Sequence, residues 1–103
     1  MAKLVVTSAA NADVGEIYEY LLAEAGLLTA MKYRRQLAEL FNHLALYPES
    51  CPRRPRLSAQ TRVGIVSPYL VLYRYAEAGD TVFIQRIVHG RRRITRKSLR
   101  ETN

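Results

Sequence analysis

The feature that most constrains this chain is a change of apolar period near its middle. Upstream, Val14, Ile17, Tyr18, Leu21 and Ala25 recur at helical spacing, and Gly26 is placed to end that helix. A second stripe, Ala30, Tyr33, Leu37, Leu40, Phe41, Leu44 and Tyr47, follows after a few residues and stops at Pro48. So short a link predicts two antiparallel helices, a hairpin. Downstream the pattern becomes extended. Arg62–Ser67, Tyr69–Ala76 and Thr81–His89 are rich in Val, Ile, Leu, Tyr and Phe and predict three strands. Ser67-Pro68 and Glu77–Asp80 mark the turns between them. At the start, Lys3–Thr7 predicts a further strand, with Ser8 as the helix N-cap. Pro48–Ser58 is an irregular connection.

The order β-α-α-β-β-β predicts an α+β fold, a twisted antiparallel sheet with the helical hairpin packed on one face. On the last strand, Val82, Ile84, Arg86 and Val88 share one side and Phe83, Gln85, Ile87 and His89 the other. Both sides are mostly apolar, as in a central strand. The sheet face away from the helices is then apolar and rimmed by Arg, a surface that needs a partner. At 103 residues the chain is expected to form one domain, 1–103, with residues 94–103 a basic tail. Like charges should leave that tail weakly held, since Ile94 and Leu99 are its only apolar handle.

Charge narrows the function. Residues 1–52 carry a net −2 and residues 53–103 a net +9, and 13 of the 16 cations are Arg. Arg offers a fixed planar fork for carboxylates and phosphates, so the bias favours an acidic partner, protein or nucleic acid. No apolar run approaches a membrane span, and Leu4-Val5-Val6 is too brief for a signal-peptide core. With Cys51 alone there is no disulfide framework and no closed Cys-based zinc site. A cytoplasmic location without membrane contact is the expectation.

Little in the sequence supports cofactor chemistry. Gly15, Gly26, Gly64, Gly79 and Gly90 form no phosphate-binding loop, the serines lack a nucleophile context, and His43 and His89 have no second ligand at metal spacing. No metal or cofactor is expected. His43 sits on a helix flank. His89 closes a strand before Gly90 and three arginines, a setting in which an imidazole can act as general acid or base on RNA, or simply bond to backbone. Seven tyrosines offer stacking area for bases, yet Tyr69, Tyr73 and Tyr75 fall on one face of one strand and suit core packing.

These residues together resemble the RelE/ParE toxin superfamily. The resemblance lies in Ala9-Ala10, Asp13-Val14, Ile17 and Tyr20, then Leu44 to Pro48, Pro52-Arg53, Arg62, and Tyr69-Leu70-Val71-Leu72-Tyr73-Arg74. The ending, Ile84-Gln85-Arg86-Ile87-Val88-His89-Gly90-Arg91-Arg92, is similar to that of the ParE branch. Two positions depart from the ParE pattern: Cys51 stands where Gly is common, and Arg93 where Asp is frequent.

The resemblance implies a toxin of a bacterial type II toxin–antitoxin pair. RelE-like members cleave mRNA on the ribosome, and ParE-like members poison DNA gyrase. Leu70 stands where the nuclease branch tends to place an Arg, and no Tyr follows Arg91. An apolar Leu cannot stabilise charge on a pentacoordinate phosphate. The ParE branch is therefore expected: a non-catalytic gyrase inhibitor neutralised by a ParD-like antitoxin with an acidic and apolar binding segment. Arg62, Tyr73, Arg74 and Arg86 are the expected antitoxin contacts, and Arg91, Arg92, Arg93 and Arg96 the expected target contacts. The alternatives are a ribosome-dependent endonuclease using His89, Arg86, Arg91 and Arg62, or a degenerate toxin that only binds its antitoxin.

Overall fold

The computed structural model describes residues 1–91. Its elements are β1 (Lys3–Val6), α1 (Ser8–Ala25), α2 (Leu27–Leu46), β2 (Arg62–Val66), β3 (Tyr69–Ala76) and β4 (Thr81–His89). The N-cap of α1 is Thr7, one residue before the expected Ser8: its hydroxyl accepts from the Ala10 N–H at 3.2 Å. Gly26 alone joins the two helices, at φ 91°, a backbone angle that L side chains resist. Tyr47, expected on the apolar stripe of the second helix, lies just past its end and is 59% exposed.

The sheet order is β1-β4-β3-β2. β2, β3 and β4 form the expected antiparallel meander, but β1 joins the edge of β4 in parallel, so the sheet is mixed. The cause is the helical hairpin. α2 returns the chain to the start of β1, where the Ala2 N–H donates to the Ala45 carbonyl at 2.8 Å. β2 therefore sets out in the direction of β1, β3 reverses it, and β4 runs with β1 again.

The main core lies between the hairpin and one sheet face. Ala10, Tyr33, Leu37 and Leu44 from the helices meet Val66, Tyr69, Val71, Tyr73, Val82, Ile84 and Ile87. A smaller cluster, Leu57, Val63 and Leu72 with Leu70 against it, sits on the other face. The connection after α2 thus folds back over that face and covers part of the surface that was expected to stand open. Its backbone is tied to the sheet by the Arg54 N–H donating to Thr61 O and the Val63 N–H donating to Pro52 O.

Strict alternation along β4 fails at one place. Ile84 pairs with Tyr73 and Arg86 with Leu72, which leaves Gln85 without a ladder partner, a β-bulge. Past the bulge the phase shifts, so Ile87 packs with Val82 and Ile84 instead of opposite them.

Candidate functional site

Side chains from α1 and the connections converge on the bulge. Gln85 is held on both sides: Thr7 donates its hydroxyl to the Gln85 carbonyl at 3.1 Å, and Thr61 donates to its side-chain oxygen at 3.3 Å. Asp13 completes the arrangement. Its carboxylate accepts from Arg86 Nε at 2.7 Å and Nη2 at 3.1 Å, and from the Ile87 N–H at 2.9 Å. Both side chains of this ion pair are only 11% exposed. Asp13 lies on the apolar stripe of α1, between Ala10 and Ile17, and a charge on such a stripe was the available signal for a buried ion pair.

This geometry relocates two residues expected at the antitoxin surface. Arg86 belongs to the joint between α1 and the sheet, because desolvating a guanidinium is tolerable only beside a carboxylate. Tyr73 has no exposed area, and its phenol oxygen accepts from the Cys51 N–H at 3.3 Å. It is a core residue that anchors the connection after α2, and burial raises its pKa well above the ordinary phenol value. Arg62 serves the same connection: it donates to the carbonyls of Glu49 and Cys51 at 3.1 and 2.8 Å and meets the Glu49 carboxylate at 3.3 Å. Its side chain is 12% exposed.

The remaining expected antitoxin contact is placed differently. Arg74 is half-buried, its guanidinium 4.2 Å from the centre of the Phe83 ring. Around it a shallow polar cleft is lined by Glu49, Arg53, Gln60, Arg62, Tyr75 and Glu77. Arg53 in that lining and Arg54 next to it in the chain are exposed; Ile65 is exposed at the other end of β2, beside Gln36 and Glu39. Tyr75 donates its hydroxyl to Asp80 at 2.7 Å, which pushes its pKa up to about 12.

His89 and Arg91 lie at the opposite end of the meander. The His89 ring packs edge-on against Tyr69 with centroids 5.6 Å apart, and its Nδ1 accepts from the Arg91 N–H at 3.0 Å. Gly90 donates to the Pro68 carbonyl at 2.8 Å, and a Cβ there would stand only 3.0 Å from that oxygen. His89 pairs with Tyr69, whereas Arg62 pairs with Tyr73. Four residues of strand separate the two positions by about 13 Å. Of the groups named for a nuclease, Arg62 thus stands at the other end of the meander from His89 and Arg91. Arg92, Arg93 and Arg96 fall outside the described residues, as does the basic tail 94–103.

A groove of about 620 Å³ opens beside His89, between α1 and the ends of β3 and β4. Its floor is Ile17, Leu21, Tyr69 and Ile87, and Glu16 and Glu24 stand on its α1 wall. Sequence reasoning did not foresee it, because its walls come from segments distant in the chain. Among the described residues no cluster of three or more His, Cys, Asp or Glu side chains is arranged to hold a metal ion. No helix there is long and apolar enough to cross a membrane.

Comparisons with known proteins bear on this framework. The fold matches a chain of the chromosomal ParDE toxin–antitoxin system of P. aeruginosa with a TM-score of 0.72 at 24% identity, over 86% of this chain and 96% of that one. It also matches a chain of the toxin–antitoxin complex RelBE2 of Mycobacterium tuberculosis, TM-score 0.63 at 22% identity, over 85% of this chain and 96% of that one. A comparison with curated proteins found no match. Residues 4–94 match the family model described as the ParE toxin of the type II toxin–antitoxin system parDE. With nearly the whole chain covered by that model, the protein belongs to the ParE toxin family of type II toxin–antitoxin systems.

Proposed function

We propose that this ParE-type toxin acts by inhibiting DNA gyrase and not by cleaving RNA, and that a ParD-like antitoxin neutralises it. One observation carries the choice between the two activities. Arg86 and Arg62, which a nuclease would need for phosphate, are consumed by Asp13 and by the Glu49–Cys51 backbone. A guanidinium already bonded on two sides has little left to give a developing phosphorane. The separation of His89 from Arg62 supports the same reading.

For the antitoxin we propose the surface around Arg74, with the exposed Arg53 and Arg54 at the cleft and the exposed Ile65 further along β2, cations and an apolar contact that suit an acidic and apolar segment. Arg91, Arg92, Arg93 and Arg96 are proposed to meet the target. A cytoplasmic site of action goes with this reading.

The experiment is His89→Ala in a growth-inhibition assay, with circular dichroism to verify folding. A gyrase inhibitor keeps most of its toxicity when this imidazole is lost. A nuclease that used His89 as general acid or base would lose about 10²–10⁴-fold in rate. A folded variant without toxicity, together with mapped mRNA cleavage by the wild type, overturns the proposal.

A further inference from the structure

We propose that two copies of this chain pair through the outer face of the helical hairpin, around its apolar tip. Ten large apolar side chains stand exposed among the described residues, and four of them, Leu22, Leu27, Leu28 and Met31, lie within five residues of Gly26. Leu28 is 83% exposed and Met31 53%. Together the four present roughly 400 Å² of apolar surface, the size at which an exposed patch marks an interaction site.

Charge names the occupant. α1 carries Asp13, Glu16, Glu19 and Glu24 and no cation, whereas α2 carries Lys32, Arg34 and Arg35 before its first acid, Glu39. Arg34 leans on α1, its guanidinium 5.1 Å from the centre of the Tyr18 ring. Glu16, Glu19, Lys32 and Arg35 are exposed. Glu19 and Glu16 lie seven and ten residues before Gly26, and Lys32 and Arg35 six and nine after it. The two limbs of the hairpin therefore carry opposite charge at matching distances from the tip. A two-fold axis parallel to the helices, on the outer face, sets tip beside tip and lays α1 of each copy over α2 of the other. Glu19 then meets Lys32 across the interface and Glu16 meets Arg35, each pair twice. A partner of one charge sign would match one limb and be repelled by the other.

The fold leaves this face free to pair. The sheet packs on the inner side of the hairpin, through Ala10, Tyr33, Leu37 and Leu44, so the bodies of the two copies point apart. Gly15 stands exposed in the middle of α1, on the side away from Ile17. A Cβ there would meet nothing within 4 Å. Glycine is a poor residue for a helix interior, and the close approach of a second backbone gives it a use. The two patches with their charged flanks bury on the order of 1,200 Å², the lower end for specific complexes, which sets a weak dimer in the micromolar range.

The test is analytical ultracentrifugation of the full-length protein from about 1 to 300 μM, with circular dichroism to verify folding. The wild type should pass from monomer to dimer across that range. Leu28→Glu, at a side chain that stands mostly in solvent, should raise the dissociation constant about tenfold or more. Glu19→Lys should weaken the dimer at low salt, and Glu19→Lys/Lys32→Glu, which exchanges the two charges, should restore it. That rescue separates pairing across the interface from a loss of fold. A monomer at every concentration overturns the proposal; if Leu28→Glu then abolishes growth inhibition or antitoxin binding, the patch belongs to the target or to the antitoxin. Dimerisation unaltered by Leu28→Glu overturns it too, as does a charge exchange that fails to restore the dimer.

Discussion

Replacing Asp13 removes the group that joins α1 to the bulge of β4, and its cost follows from the geometry. The carboxylate accepts three hydrogen bonds, at 2.7, 3.1 and 2.9 Å. Asp13→Ala leaves the Arg86 charge in a site where only 11% of its side chain is exposed. It also orphans the Ile87 N–H, which donates to this carboxylate. Breaking a buried pair from one side costs about 3–5 kcal/mol, a large share of the ~5–15 kcal/mol that holds a domain of this size. The melting temperature should fall by on the order of 20 °C. Asp13→Asn keeps the volume and one acceptor oxygen and should lose less, about 2–3 kcal/mol. Asp13→Leu/Arg86→Met, which removes both charges, should recover much of the loss. Urea unfolding followed by circular dichroism measures all three variants. A loss below about 1 kcal/mol for Asp13→Ala, the range of exposed pairs, would refute the claim that this ion pair fixes the helix on the sheet.

Three further perturbations probe the rest of the fold and the target surface. A Cβ at Gly64 would lie 3.1 Å from Leu40 Cδ2 and 3.5 Å from Cys51 Sγ, so Gly64→Val should destabilise by about 1–3 kcal/mol through overpacking, as read by thermal melting. Burial raises the pKa of the Tyr33 and Tyr73 phenols; the folded state then keeps protons that the unfolded state loses, so stability should fall as pH rises past about 10. Tyrosinate absorbance followed alongside circular dichroism should show those phenols ionising with unfolding, while half-buried Tyr75, bonded to Asp80, has its pKa pushed up to about 12. Neutralising Arg91, Arg92, Arg93 and Arg96 together should weaken growth inhibition and leave the melting curve and most antitoxin affinity intact; full toxicity in a folded variant would exclude this segment from the target surface.

What the sequence disclosed was what repeats locally. Both helices, three strands of the meander and their turns follow from periods of 3.6 and 2 that need no knowledge of the partner surface. The parallel placement of β1 was not legible, because it depends on where α2 delivers the chain. The bulge was hidden for a similar reason: Gln85 and Arg86 are ordinary strand residues, and the groups that hold them, Thr7, Asp13 and Thr61, are far away in sequence. From that one phase shift came the misplacement of Arg86. Tyr73 was set at the surface although its own alternation with Tyr69 and Tyr75 pointed to the core. The uneven charge did identify a basic second half, but which arginines face outward was decided by the connection after α2, whose irregular backbone carries no period to read.

The central claim, gyrase inhibition by a non-catalytic toxin, is tested most directly by adding the purified protein to a gyrase supercoiling reaction and to a translation extract followed by primer extension on the mRNA. The account predicts loss of supercoiling that the cognate antitoxin reverses, with the mRNA left intact. Unimpaired supercoiling, or ribosome-dependent cuts in the message, would contradict it.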